Sequence, residues 1–220
     1  MGRAVALAFS REGIKTALLA RDEVRLDALA EECAEAGAPA ISVACDIAQP
    51  DSITASVEDA ILRLGGLNFL FNCAGVHKSG KAHEVNLDDW NAMLDTNLRA
   101  HYTLVRHALP EINKTPGGAI IKIGSISTPH PSQAMHLAVS RALDGYAECL
   151  FDDVREFGTK VCTIRPGFVN TPMVKSDRLD RERMISPEDI AETVLFVLRM
   201  PETTCPTEIV LRPQRSPYKN

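Results

Sequence analysis

Short apolar runs alternate with longer amphipathic stretches along this chain, and that alternation constrains the fold more than any other feature. The runs "KTALLA" (15–20), "AISVAC", "LNFLFN" (67–72), "GAIIKIGS", "KVCTIR" and "TEIVLR" have the length and composition of strands. Helical periodicity fills the intervals. In "DEVRLDALAEECAEAG", Val24, Leu26, Leu29 and Cys33 form an apolar stripe, and Gly37 suits the stop. "DSITASVEDAILRLGG" reads as a helix capped by Asp51 or Ser52 and stopped by Gly65. Long helices are predicted over 87–109, broken near Thr96, and over 132–157. A last helix is predicted at "SPEDIAETVLFVLRM", with Ser186 as N-cap, Pro187 at the first helical position and Asp189 placed for a capping interaction. Strand–helix alternation of this kind predicts an α/β fold, a doubly wound parallel sheet with helices on both faces. "LNFLFN" is almost wholly apolar, as a strand buried on both faces should be. No repeat, linker or low-complexity segment interrupts the pattern, so one domain is expected over 1–220.

Composition removes several function classes. Net charge is −5, with acids and bases mixed along the chain and no basic stripe, which argues against nucleic-acid binding. No run of 18 apolar residues predicts a membrane-spanning helix, and the first residues do not form a secretory signal. The six cysteines make no C-x-x-C pair and no cluster with histidine. Buried free thiols in a reducing, cytoplasmic setting and no metal site are expected.

Open parallel sheets bind ligands beyond the carboxyl ends of their strands. The informative residues fall there. Arg21 follows the first strand, Asp46 and Ile47 the second, "NCAG" (72–75) the third, Ser125 the fourth and "PGFVNTP" (166–172) the fifth.

These segments resemble the short-chain dehydrogenase/reductase family along almost the whole chain. "NCAG" is similar to that family's N-N/C-A-G turn, "DTNL" to the segment with its active-site asparagine, "IGSIS" to the segment with its catalytic serine, and "PGFVNTP" to its P-G-x-V-x-T loop. The resemblance implies a Rossmann-like domain that moves hydride between a nicotinamide and a carbonyl or secondary alcohol. It places Asn97 and Ser125 in the catalytic set. It places Gly2, Arg21, Asp46, Ile47, Asn72, Ala74, Gly75, Pro166, Gly167, Val169 and Thr171 around the cofactor. Gly75 would let the backbone approach the cofactor closely. Arg21 suits a 2′-phosphate through bidentate bonds, so the sequence leans to NADP(H) over NAD(H). Asp46 would accept from the adenine amino group, and Val169 and Thr171 would hold the nicotinamide carboxamide. Alternatives stand beside three of these. Arg21 also reads as a solvated arginine paired with Asp22, Asp46 as the cap of a short turn, and Ser125 as a strand-end turn serine. By the same resemblance, homodimers or homotetramers are expected, with the two long helices as contact surfaces.

The chain departs from the family in two places. The family opens with a strand and T-G-x-x-x-G-x-G. Here Gly2 matches the last glycine, and "RAVALAFSREGI" matches the following helix. In the family's strand order, 3-2-1-4-5-6-7, the missing first strand is central. The strands at 15–20 and 67–72 are therefore expected to lack their shared neighbour, and the chain reads as an N-terminally shortened form of a longer protein. The second departure is the catalytic helix, roughly Y-S-A-S-K-A-A-L-D-G-F in the family. Aligned with "HLAVSRALDGY", it puts His136 at the tyrosine and Ser140 at the lysine. In the family that tyrosine exchanges the proton and the lysine lowers its pKa. Ser140 brings no charge. An unperturbed histidine has a pKa near 6.5, which makes His136 the candidate acid/base, with a plain helix residue as the other reading. Two functions follow: an NADP(H)-linked oxidoreductase, or a catalytically silent relative that binds nucleotide or pairs with an active subunit.

Overall fold

The computed structural model describes residues 1–126, 132–174 and 176–219. The chain opens with helix α1 (Gly2–Arg11), followed by β1 (Thr16–Ala20), α2 (Glu23–Ala36), β2 (Ala40–Ala44), α3 (Pro50–Leu64) and β3 (Phe69–Asn72). Then come α4 (Leu87–Met93), a π-helical turn (Leu94–Arg99), α5 (Ala100–Ile112), β4 (Ala119–Ile123), α6 (Ala134–Val154), β5 (Lys160–Pro166), α7 (Pro187–Arg199) and β6 (Glu208–Leu211). The alternation predicted from sequence is thus present.

All strands are parallel, but they form two ladders: β1 with β2, and β3-β4-β5-β6 in that order. Among the described residues β1 and β3 do not pair with each other, as expected for strands without a shared neighbour. One expectation is corrected here. Phe69, Leu70, Phe71 and Asn72 are only half-buried, not covered on both faces. A strand at the end of a ladder lacks the flanking side chains that would close over it.

Two apolar layers sandwich the larger ladder. Ile120 and Val161 point to one side, among Ile53 and Val57 of α3, Leu104 and Ile112 of α5 and Leu150 of α6. Ala119, Ile121, Cys162 and Ile164 point to the other, against Val5 and Phe9 of α1 and Val194 and Val197 of α7. Period-two alternation along strands covered on both faces produces this division.

Helix ends follow local chemistry. Ser186 and Asp189 form the reciprocal capping box of α7, with Pro187 in its first turn. Gly65 ends α3 at φ 77°. The cap of α3 differs from the expected Asp51 or Ser52. Gln49 is the N-cap and Pro50 the first residue, because the Ser52 hydroxyl is taken by the Asp46 N–H at 3.0 Å. The six thiols are free. Cys33, Cys45 and Cys162 are buried, but Cys149 is exposed and Cys73 and Cys205 half-buried. No described helix is long and apolar enough to cross a membrane, and no group of three metal-ligating side chains occurs among the described residues.

Candidate functional site

Parallel pairing puts the strand carboxyl ends side by side. Ala20 is in register with Ala44, and Asn72 with Lys122. Arg21 and the segment beginning at Asp46 therefore leave adjacent strands at one end of the first ladder. Asn72–Gly75 and Ser125 leave neighbouring strands of the second.

Arg21 is exposed, and its guanidinium makes no ion pair among the described residues. Asp22 serves as the N-cap of α2, accepting from the Arg25 N–H at 3.1 Å. The Asp46 carboxylate accepts from the Ala48 N–H at 3.1 Å with Oδ1, which makes the turn that launches α3. Ile47 packs against the apolar layer of α3 and α5. An exposed cation beside a half-buried carboxylate is a donor set that suits the adenosine end of a nucleotide bearing a 2′-phosphate.

Asn72 faces inward. Its Oδ1 accepts from the Ala74 N–H at 3.0 Å, and its Nδ2 lies 3.1 Å from Nδ1 of His101 on α5. The NCAG turn is thus held from beneath. Its next residue is clamped by Asn97, whose Oδ1 accepts from the Val76 N–H and whose Nδ2 donates to the Val76 carbonyl, both at 2.8 Å. Asn97 sits on the π-helical turn, whose wider backbone re-aims one side chain within a continuous helix. A Cβ on Gly75 would stand 3.3 Å from Asn97 Oδ1, so this glycine makes room for the clamp. Gly2 opens α1 against the end of β3, where a Cβ would lie 3.0 Å from Cys73 Sγ.

The loop after β5 is anchored at both ends. Pro166 is buried, and the Gly167 N–H donates to the Leu211 carbonyl at 2.9 Å. Val169 is buried among Ile185, Ile190 and Leu211 and bridges Ile185. That bridge uses the Phe168 carbonyl and the Asn170 N–H. Among the described residues the Val169 N–H and C=O take no part in it, and one donor beside one acceptor is what a carboxamide requires. Thr171 is half-buried beside this bridge.

Ser125 lies just past the end of β4. Ser127, the last residue of "IGSIS", lies outside the described residues. His136 is in the first turn of α6, half-buried, with its imidazole edge-to-face against His77 at a centroid separation of 4.7 Å. The His136 Nδ1 atom is buried and has no hydrogen-bond partner among the described residues. Burial, and then His77, push the His136 pKa below its usual value. His77 was not singled out from sequence. The available signal was a histidine two residues after "NCAG" in a chain with only six.

A second group also went unread. Lys122 of β4 is buried, with Nζ 3.8 Å from Asp144 of α6. The same Asp144 meets Arg165 of β5 at 2.5 Å, and Arg165 reaches Glu208 of β6 at 3.0 Å. Burial draws the Lys122 pKa down to about 8, against the pull of Asp144. Lys122 is in register with Asn72, and its charge bears on His101.

A model of the short chain dehydrogenase family matches residues 1–182. An uncharacterized oxidoreductase of Staphylococcus epidermidis is 27% identical over 215 residues, covering 97% of this chain and 92% of that one. A metagenomic short-chain oxidoreductase solved with NADP has a TM-score of 0.84 at 27% identity, over 97% of this chain and 92% of that one. A short chain dehydrogenase from Burkholderia cenocepacia, also in complex with NADP, has a TM-score of 0.86 at 25% identity, over 96% and 91%.

Proposed function

The chain belongs to the short-chain dehydrogenase family, and from that premise we propose that it is an oxidoreductase using NADP(H) to interconvert a carbonyl and a secondary alcohol. The observation that carries this reading is the gathering of Arg21, Asp46, the NCAG turn, Ser125 and the loop 166–171 at the carboxyl ends of parallel strands. The NADP complexes of two similar proteins support the choice of cofactor.

The bound nicotinamide supplies the hydride. The chain's own residues do the rest. Arg21 grips the 2′-phosphate, Asp46 takes the adenine amino group with its remaining carboxylate oxygen, and the Val169 backbone pair with Thr171 holds the carboxamide. Ser125 hydrogen-bonds the substrate oxygen. His136, where the family carries tyrosine, gives or takes the proton at that oxygen. Asn97 acts through the backbone by fixing the NCAG turn. Small carbonyl compounds are the substrate class. The segment "PMVKSDRLDRERM" after Thr171 is short and charged, and a long acyl chain or steroid would need an apolar wall. The protein acts as a cytoplasmic homodimer or homotetramer.

A second reading has its own observation. Ser140 supplies no charge beside His136, which fits a silent relative that still binds nucleotide. Titrating NADPH and NADH into the protein, followed by nucleotide fluorescence, is the first test. NADPH is expected to bind in the micromolar range and Arg21→Glu to weaken it about tenfold or more relative to NADH. Equal loss for both nucleotides removes Arg21 from the site. NADPH oxidation over a carbonyl panel, with Ser125→Ala slower by about 100-fold, then separates enzyme from silent binder. Tight binding without turnover favours the second reading.

A further inference from the structure

Residues 209–220 carry no acid, although the chain as a whole has a net charge of −5, and they include Arg212, Arg215 and Lys219. This basic segment is held against the fold after β6. The Leu211 carbonyl accepts from the Gly167 N–H at 2.9 Å. Tyr218 forms an antiparallel bridge with Leu179. Around that bridge the Asp180 N–H donates to the Pro217 carbonyl at 2.7 Å, and the Lys219 N–H to the Arg178 carbonyl at 2.9 Å. The Tyr218 ring meets Phe168 edge-to-face at a centroid separation of 5.8 Å. Residues 212–217 are therefore a strap tied at both ends.

Between the strap and the segment 182–185 lies a cleft of about 440 Å³. Met184, Ile185, Leu211 and Pro213 give it apolar walls, and Arg183, Arg212 and Arg215 give it guanidinium groups. Apolar walls with a few charged groups, in a space of this size, are the build of a small-molecule site. The cleft adjoins the loop 166–171, because Ile185 is bridged to Val169 and Leu211 is bonded to Gly167. It lies at the β6 end of the larger ladder, whereas Arg21 follows a strand of the other ladder.

Charge decides what the cleft takes. Arg212 and Arg215 are exposed and make no ion pair among the described residues. Arg183 is held through Nε by Asp180 at 3.2 Å. Two carboxylates also line the cleft. That of Asp189 is committed to the Ser186 N–H at 2.8 Å, in the capping box of α7. That of Glu182 makes no ion pair among the described residues and opposes an anion. Two uncommitted guanidinium groups thus face one uncommitted carboxylate. Guanidinium groups bind carboxylate and phosphate oxygens in pairs, and a strap already fixed at both ends loses less freedom when a ligand arrives.

We propose that this cleft is a binding site for a small organic anion. Arg212 and Arg215 hold its carboxylate or phosphate, and its apolar body lies against Met184, Ile185, Leu211 and Pro213. Arg183, tethered to Asp180, adds positive charge on the facing wall. The rest of the chain is net acidic, so an extended polyanion is repelled beyond the cleft. The site is separate from the 2′-phosphate site assigned to Arg21 and does not rest on the oxidoreductase reading.

The test is an NMR titration of the full chain, labelled with 15N, at low salt. The probes are phenyl phosphate and benzoate. Inorganic phosphate serves as the anion without a body, and benzyl alcohol as the body without an anion. At least one aromatic anion should bind with a Kd of about 0.1–1 mM and shift the amides of Met184, Ile185, Leu211 and Gln214. Phenyl phosphate alone identifies a phosphate ligand, and benzoate alone a carboxylate. Replacing Arg212 and Arg215 together with Gln should weaken binding about tenfold, and Glu182→Gln should tighten it about twofold. All three side chains are exposed, so these variants keep the fold, and the shift map of the wild type decides independently of them. No shift at the cleft with either anion, or shifts only around Arg21, overturns the proposal. So does a loss in the double variant no larger than that from Arg25→Gln, an exposed arginine on α2. Benzyl alcohol binding as tightly as the anions overturns it because the arginines then contribute nothing. Inorganic phosphate binding as tightly as phenyl phosphate overturns it because the apolar walls then contribute nothing. Each outcome is read without turnover, so it stands whether or not the protein reduces a carbonyl.

Discussion

His101 is the residue whose chemistry most affects stability. It is buried on α5, its Nδ1 accepts from Asn72, and burial followed by Lys122 draws its pKa down to about 3. The unfolded chain takes up a proton on this histidine below about pH 6.5, whereas the folded protein does not until about pH 3. Stability is therefore fully present above pH 6.5 and falls as the solution is acidified through that window, by about 1.4 kcal/mol per pH unit from this group alone. Replacing His101 with Gln, which keeps an acceptor for Asn72 and cannot titrate, should reduce the slope by about one proton. Urea unfolding at several pH values between 7 and 4 measures this, and parallel curves for the two proteins would remove His101 from the acid response. The residues at strand ends were legible in the sequence because asparagine, glycine and proline interrupt apolar runs there. Lys122 and Arg165 were not. A charged residue inside a strand ordinarily marks a solvent face, and here helices cover both faces, so Lys122 is buried and Arg165 half-buried against Asp144. The His77–His136 contact joins a loop to a helix distant in sequence, and no local pattern encodes it.

Among the elements, the helix carrying Asn97 gave its break away in advance. Asp95, Thr96 and Asn97 are poor helix formers in sequence, and the π-helical turn spans them. Single-residue bounds were less legible. The helix expected from residue 132 begins at Ala134, since Ser132 has φ 65° and stands outside it. Packing between elements is tight where α2 ends against α1. Gly37 has φ 147°, and a Cβ there would stand 2.6 Å from the Ser10 carbonyl oxygen. Neither the backbone angle nor the space admits a methyl group. Gly37→Ala should lose about 2 kcal/mol, or about 4–8 °C in Tm. Gly13 has φ 76° but open space around it, so Gly13→Ala should lose only about 1 kcal/mol. Thermal unfolding of both variants ranks them, and equal losses would mean that backbone angle alone, without the contact to α1, sets the cost at Gly37.

At the scale of the molecule, the sheet is two ladders held together by helices. One apolar layer contains Leu19 of β1 alongside Leu70 of β3, and the other joins α1 to Phe69 and Phe71. Apolar packing across the gap is non-directional and needs no strand pairing, whereas the backbone groups on the facing edges of β1 and β3 have no ladder partner among the described residues. The family resemblance, through its strand order, implied this division and the sequence pattern did not, because periodicity reports which face a residue occupies and not which neighbour it bonds. The ladders should therefore differ in local stability. Amides of β4 and β5, paired on both sides, should exchange with solvent only on global unfolding. Those on the open edges of β1 and β3 should exchange at least about 100-fold faster. Hydrogen exchange read residue by residue by NMR checks this. Strong protection along β3 would mean that a strand from another copy lies in the gap, and the same sample should then elute as an oligomer. Fast exchange in a protein that still binds NADPH would mean that helix packing alone holds the two halves of the site in place.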